Sequence, residues 1–459
     1  MLLNGKEITH VHFIGVNGIG VSALLRLFAS KGVSVSGSDV ALPPLRVLPS
    51  GNYHEGHRAE NVPDATDLII YSPAVPETNP ELVEGNARGI TIRSYPEMLG
   101  DVTRDYNTIA ISGTHGKSTT TALMGKLFHA GDLDPSVIVG AEVPGFDHNL
   151  LQGKSDIFIV EACEYRRNMM QLAPQAILLT NLELDHPDYY EDLADIKNAF
   201  RDYIEKLRGE GLLIVNNDDA NIRDVIRSFD GILVRFGVGA GADLALSNAR
   251  QSGAHQYFDL SWKGTALGTF TTPLPGLYNL YNILGAVAGY LTYGGNPDAI
   301  HAVLESFTGI GRRFQEVGTI GNTAIISDYA HHPTALRAVV DAALSRFKGK
   351  RLLTIFRPHH RERSLKLFDQ FVATLVAIPH TLLLEIYDVA GREDGIVISS
   401  RDMVTAVLAK DPRADIVYAA DLAEAESFAR AHVADFDVIL VVGAGDADEL
   451  AQQLVTNNP

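Results

Sequence analysis

Short apolar runs of strand length recur along this chain, separated by helix-length stretches, which is the pattern of a buried parallel sheet covered by helices. Residues 9–16 form the first apolar run, and Asn17-Gly-Ile-Gly20 then opens a helix from Val21 to Ser30. A second run at 33–36 ends in Gly37-Ser-Asp39. Further strands are predicted at 67–71 and 90–93, with a helix starting near Pro96. The polar stretch 100–106 reads as a domain boundary.

The alternation restarts at 107–112 with a strand, a glycine turn and a helix over 120–128. Strands are predicted at 157–161, 176–181, 212–216 and 231–236, with a helix over 193–207. Residues 242–273 alternate threonines with aromatics, which predicts a small antiparallel excursion. Pro275-Gly276 then opens a long apolar helix to about Tyr293. A third block runs through strands at 323–327, 352–356, 381–386, 416–419 and 438–442, closing before Gly443-Ala-Gly-Asp446. The expected fold class is α/β, with three consecutive α/β domains at 1–104, 105–312 and 313–459. The first and third read as Rossmann-like and the central one as P-loop ATPase-like.

Composition narrows the class. The chain has 459 residues, 46% hydrophobic and 20% charged, which is ordinary globular usage and too long for one core. A net charge of −18 disfavours non-specific binding to nucleic acid or to an anionic membrane. The single cysteine, Cys163, excludes an internal disulfide and suits a reducing compartment. No signal-peptide layout or membrane-length apolar run is present, so a cytoplasmic enzyme, monomer or homodimer, is expected.

The sharpest chemistry lies at Gly113-Thr-His-Gly-Lys-Ser-Thr119. A strand, a glycine turn and a helix N-terminus gather backbone N–H groups around one point, which suits a polyphosphate. Lys117 can reach the β/γ-phosphates and Ser118 or Thr119 can ligate Mg²⁺. The loop is shorter than the full P-loop spacing, because Ile111 stands where that pattern has its first glycine. Glu161, Glu164, Asp185 and His186 follow two predicted strands, so they should converge on the same crevice. Oxygen ligands suit Mg²⁺, whereas a histidine points to a second, more adaptable cation. In the first block, Gly15-x-x-Gly18-x-Gly20 with Asp39 downstream resembles a dinucleotide-binding start, and Ser72 ends a strand that should face the same ligand. Cys163 is expected to be a packed small residue, and Lys197 a solvated helix lysine or a neighbour of the metal site.

Four segments together resemble the Mur ligases of peptidoglycan synthesis. They are Gly113-Thr-His-Gly-Lys-Ser-Thr, Glu161-Ala-Cys-Glu, Asn181-Leu-Glu-Leu-Asp-His and Asp328-Tyr-Ala-His-His-Pro-Thr. The resemblance implies an ATP-dependent amide-forming ligase that uses Mg²⁺ and a second divalent cation such as Mn²⁺. It implies ATP contacts from Gly113, Thr114, His115, Gly116, Lys117, Ser118, Thr119, Asn279, Asn282, Arg313 and Asp328. Tyr278 replaces a histidine beside Asn279, and an aromatic ring can still stack on a base. The metals would be held by Ser118, Glu161 and His186. The UDP-sugar would lie on Gly15, Asn17, Gly18, Ile19, Gly20, Ser38, Asp39 and Ser72. Asn17 stands where the family usually has glycine, and asparagine tolerates the left-handed φ expected there. Lys117, His186, His331, His359 and Arg363 would form the catalytic set, and His332, His359, His360, Arg361 and Arg363 the amino-acid site. Within the family, Pro358-His-His-Arg-Glu-Arg363 is similar to the segment of members that join L-alanine to UDP-N-acetylmuramate, although His360 replaces an arginine whose role Arg361 would assume. Tyr165 is instead similar to members that attach the L-Ala-γ-D-Glu-meso-diaminopimelate tripeptide. A folylpolyglutamate-synthase-like ligase and a non-catalytic nucleotide-sugar sensor are the competing classes.

Overall fold

The computed structural model describes residues 2–3, 5–42, 48–207, 211–388 and 395–456. Three large sheets follow one another along the chain. The first is wholly parallel and runs β3-β2-β1-β4-β5, from β1 (His10–Ile14), β2 (Ser34–Asp39), β3 (Asn52–Glu55), β4 (Leu68–Tyr71) and β5 (Thr91–Ser94). Helix α1 (Ile19–Ser30) covers it, with Leu24, Leu25 and Phe28 fully buried. The order reverses at β1, so the crevice for a ligand lies past the C-terminal ends of β1 and β4.

The central sheet begins with β6 (Asn107–Ser112) and helix α2 (Lys117–Ala130). It continues through β7 (Ser136–Ile138), β8 (Leu150–Leu151), β9 (Ile157–Glu161), β10 (Ala176–Leu179), β11 (Leu212–Asn216) and β12 (Ile232–Gly237). The predicted antiparallel excursion is present as β13 (Leu244–Ser252), β14 (His255–Trp262) and β15 (Thr265–Thr272). It is not a separate unit, because β13 pairs in parallel with β12 and carries the sheet to ten strands. Helix α3 (Leu277–Thr292) is apolar nearly all round because it is buried against α2 and the sheet. Truncating one of its fully buried leucines to alanine would cost about 2–5 kcal/mol.

The third sheet runs β16-β17-β21-β18-β19-β20. Its strands are β16 (Gln315–Ile320), β17 (Thr323–Asp328), β18 (Leu352–Arg357), β19 (Thr381–Leu384), β20 (Ile416–Ala419) and β21 (Val438–Gly443). Helix α4 (Pro333–Arg346) follows β17, and α5 (Arg361–Lys366) follows β18. Strand β16 lies outside the predicted elements; it turns through Gly321 (φ +57°) and pairs antiparallel with β17. Among the described residues, no helix is long and apolar enough to cross a membrane.

Most predicted elements are present, and where their ends differ the cause is local. Strand β10 stops at Leu179 because Thr180 and Asn181 turn to bind the phosphate loop: both side chains donate to the His115 carbonyl, at 2.6 and 2.9 Å. Helix α2 starts at Lys117, earlier than the predicted Thr120, because Gly116 at φ +84° caps it in a left-handed conformation.

Candidate active site

The phosphate loop is shaped by its two glycines. Gly113 and Gly116 lie at φ +128° and +84°, and a Cβ at Gly116 would stand 2.1 Å from Asn282 Oδ1. Lys117 folds back over the loop, donating to the carbonyls of Gly113 (2.6 Å) and Thr114 (3.1 Å) and pairing with Glu164 at 2.9 Å. Burial works against its charge, but Glu164 outweighs burial and the lysine stays cationic. Glu164 is held below the ordinary carboxylate range by Lys117 and His186 in spite of its burial.

Ser118 donates to Glu161 Oε2 at 3.0 Å. Burial pushes the Glu161 carboxyl up, against the Gly140 N–H, Lys117, Ser118 and Arg313. A desolvated carboxylate beside a hydroxyl at a helix N-terminus suits a hard divalent cation, so these residues fit Mg²⁺. His186, at φ +54°, stands 3.5 Å from Glu164 Oε1 and packs its ring on Tyr165 at 4.7 Å. Of the three expected metal residues, Ser118 and Glu161 therefore stand together, while His186 lies beside Glu164.

One cavity of about 830 Å³ joins this loop to the third domain. Thr114, His115, Thr119, Asn279 and Asn282 line it, as does Tyr278 at the start of α3. Arg313 also reaches it, and the guanidinium groups of Arg312 and Arg313 both lie 4.9 Å from the Tyr329 ring. Asp328 accepts from the N–H groups of Phe314 and Ala330, at 2.8 and 2.7 Å, so its carboxylate holds the first residues of the third domain beside the cavity. Burial raises its pKa even so.

From the third domain His331, His359, His360 and Arg363 line the same cavity. Arg363 is committed to Asp185 across the domain boundary, with Nη2 at 2.8 Å and Nε at 2.9 Å from one oxygen and both side chains about 5% exposed. Burial opposes the Asp185 charge, but Arg363 and the nearby histidines hold the carboxyl well below its usual range. Burial and Arg363 push His331 well below the ordinary histidine value, so its imidazole is neutral at pH 7. Arg361 does not take the role expected of it. Its guanidinium pairs with Asp388 and the Ile398 carbonyl and does not line the cavity. His360 faces the cavity, 2% exposed, at φ +76° where α5 begins. His332 caps α4, accepting from Thr334 N at Nδ1, which lies 3.5 Å from Glu183; that carboxylate also binds His115.

The first sheet carries a separate site. Gly15 (φ +88°) donates to the Ser38 carbonyl at 2.8 Å, and Asn17 N donates to Asp39 at 2.9 Å. Asn17 is not left-handed; the turn places that demand on Gly15, so asparagine needs no special tolerance here. Gly18 caps α1, Ile19 and Gly20 are its first residues, and Ser72 lies against Gly15, where a Cβ would stand 2.9 Å from the serine Cβ. Ser38 is fully buried, and its hydroxyl is taken by Glu81 (2.5 Å) and His57 (3.0 Å). It therefore supports the turn from beneath.

Three family models match in order: the Mur ligase family catalytic domain over residues 10–107, the Mur ligase middle domain over 111–289 and the Mur ligase glutamate ligase domain over 312–445. The chain belongs to the Mur ligase family. It is 33% identical to a UDP-N-acetylmuramate–L-alanine ligase of Alkaliphilus metalliredigens, covering 99% of this chain and 98% of the relative. A Clostridium tetani protein of the same name is 34% identical, covering 96% of each. The fold matches a UDP-N-acetylmuramate–alanine ligase of Thermotoga maritima with a TM-score of 0.81 at 24% identity, covering 98% of both chains. A murein peptide ligase of Psychrobacter arcticus gives 0.71 at 22% identity, again covering 98% of both.

Some residues of this Mur ligase site carry no sequence signal. Glu81 is fully buried under the Gly15 turn, bonded to His12, Ser38 and Asn61. In the sequence it reads as an ordinary acidic residue in a helix first turn after Asn79-Pro80. Tyr95 lies over Gly20, where a Cβ would stand 2.6 Å from its ring. Asp185 lines the same cavity as Glu161, Glu164 and His186, as expected, and there it also holds Arg363, a partner the sequence does not announce. Cys163 is exposed on the cavity wall and not packed. The cavity's enclosure, with Glu164 beside it, pushes its thiol up to about 12, which disfavours the thiolate. Lys197 pairs with Asp224 at 3.3 Å and does not line the cavity.

Proposed function

We propose that this Mur ligase joins L-alanine to UDP-N-acetylmuramate at the expense of ATP, in cytoplasmic synthesis of the peptidoglycan precursor. The observation that carries the reading is a single cavity with the phosphate loop on one wall and the histidine–arginine segment 359–363 on the other. A phosphoryl donor and an amine acceptor can meet there.

The muramoyl carboxylate attacks the γ-phosphorus of ATP and ADP leaves; the amine of L-alanine then attacks the carbonyl carbon of the acyl phosphate, expels inorganic phosphate and loses a proton to give the amide. Lys117 and the N-terminus of α2 offset charge on the transferring phosphoryl group. Mg²⁺ on Ser118 and Glu161 would neutralise the phosphate oxygens, and His186 would hold a second ion such as Mn²⁺. Asn279, Asn282 and Arg313 take the adenosine side, and Gly15, Asn17, Asp39 and Ser72 the UDP-sugar. Neutral His331, with His359 and Arg363, faces the acceptor.

The names of the full-length relatives support L-alanine over the tripeptide. Tyr165, which is similar to tripeptide-adding members, gives the second reading its one foothold. Phosphate release should be measured with ATP, UDP-N-acetylmuramate and one acceptor at a time: L-alanine, L-serine, glycine or L-Ala-γ-D-Glu-meso-diaminopimelate. L-Alanine should stimulate most, and stimulation by the tripeptide alone would overturn the assignment. Phosphate release from Lys117→Ala at near wild-type rate would remove the phosphate loop from the reaction.

A further inference from the structure

Among the described residues, three metal-ligating groups converge where the expected Mg²⁺ residues are not involved. They are His115 in the phosphate loop, Glu183 after β10 and His332 at the start of α4, with one ligand atom from each all within 4.8 Å of one another. We propose that His115, Glu183 and His332 form a binding site for a borderline divalent cation of the zinc class, which clips the third domain to the phosphate loop.

The hydrogen bonds around His332 fix its tautomer. Its Nε2 lies 3.2 Å from the Leu184 carbonyl, which can only accept, so Nε2 carries the proton. Its Nδ1 in turn accepts from the Thr334 N–H at 3.3 Å. Nδ1 therefore carries the ring's one lone pair, engaged only by that long bond, and a cation beside Glu183 Oε1, 3.5 Å away, would take it over from the Thr334 N–H. A cation between these two groups would replace their present bonds to Thr334 N–H and His115. An imidazole whose second nitrogen donates to a backbone carbonyl is also the usual arrangement of a metal-bound histidine.

The other two ligands are equally well held. The Thr334 hydroxyl donates to Glu183 Oε2 at 2.8 Å, which leaves Oε1 turned toward the histidines. The His115 backbone N–H is fixed on Asn181 Oδ1 at 2.9 Å, and its Nε2 already contacts Glu183. The cation would replace the proton of that contact. The two imidazole rings stand 5.3 Å apart. Two imidazole nitrogens and one carboxylate oxygen suit zinc, with water completing the shell, and disfavour Mg²⁺. The three ligands come from two domains, so occupancy would favour the closed arrangement. This inference is independent of which acceptor the ligase uses.

The test uses the full chain, stripped with chelator and free of nucleotide. Zinc affinity is measured by competition with a chromophoric chelator, and Co²⁺ is added separately to read visible d–d absorption. One zinc per chain is expected. Glu183→Gln and His332→Asn should each weaken it by more than about 100-fold and remove the Co²⁺ band. His115→Asn, which leaves the His332 cap of α4 intact, provides a second variant should His332→Asn misfold by circular dichroism. Ser118→Ala/His186→Ala should bind zinc as the wild type does. Unchanged affinity in Glu183→Gln or His115→Asn would overturn the proposal. So would a loss confined to Ser118→Ala/His186→Ala, because the ion would then sit at the phosphoryl-transfer site.

Discussion

The Asp185–Arg363 pair is the best place to test how the domains communicate. Both side chains are about 5% exposed, and one carboxylate oxygen takes two guanidinium bonds at 2.8 and 2.9 Å. Removing one partner of such a pair leaves a buried charge uncompensated, at a cost of about 3–5 kcal/mol. Asp185 belongs to the loop after β10 and Arg363 to helix α5 of the third domain, so that cost falls on the juxtaposition of the domains. At 1.36 kcal/mol per decade it corresponds to a loss of roughly 10²- to 10⁴-fold in the competent closed population. Asp185→Asn should therefore lower kcat/KM for the amino-acid acceptor by at least about 10²-fold, although Arg363 is still present. Arg363→Met should lower it by as much or more. In the Arg363→Met background, adding Asp185→Asn should cost less than about 3-fold, because no buried charge remains to be stranded. The assay is steady-state phosphate release against acceptor concentration for the four members of the cycle. If Asp185→Asn costs the same factor in both backgrounds, the two residues act independently and the coupling argument is wrong.

Three further outcomes follow from other parts of the molecule. Gly116→Ala should abolish ATP binding by calorimetry while UDP-sugar binding persists, since the new Cβ needs a left-handed backbone and stands 2.1 Å from Asn282 Oδ1. Lys117→Met should lower phosphate release by more than about 10²-fold, and adding Glu164→Gln should recover thermal stability without recovering turnover, because Glu164 is the partner left buried. Glu81→Gln should weaken UDP-sugar binding and destabilise the first domain by about 2–3 kcal/mol at pH 7. Burial raises the Glu81 pKa, but its bonds to His12, Ser38 and Asn61 outweigh that and hold it below 4.5. The stabilisation is therefore present above pH 4.5 and lost as pH falls through the depressed value, so the gap between Glu81→Gln and wild type should close below pH 4.5. A thermal-shift series from pH 7 to pH 3.5 that shows a constant gap would refute this.

How far the sequence reaches into this site depends on how each group is held. The phosphate loop was legible because a backbone requirement left its mark: glycine at two left-handed positions, then lysine and serine at a helix start. The strands were legible for the same kind of reason, since buried parallel strands must be continuously apolar. The hidden strand Gln315–Ile320 shows the limit, because its exposed edge position leaves a mixed polar pattern. Partner choice among charged groups was not legible. Asp185 and Glu164 each follow a strand and look equivalent in sequence, yet one holds an arginine from another domain and the other holds the loop lysine.

Arg361 makes the same point from the opposite side. It was expected to take the role of the arginine replaced by His360. The segment is not free to slip, because Arg361 opens α5 while His360 is held at φ +76° with its N–H bonded to the Tyr387 carbonyl at 3.0 Å. Helix phase then turns Arg361 toward Asp388 and brings Arg363 to the cavity. On the proposed function, the wall that would face the acceptor thus offers imidazoles and one arginine already neutralised by Asp185. An acceptor carboxylate must either share that guanidinium through Nη1, which contacts His359 at 3.4 Å, or draw Arg363 away from Asp185. The first route leaves the domain-linking pair intact during turnover. That is why loss of Asp185 should be felt at the acceptor step and not at ATP binding.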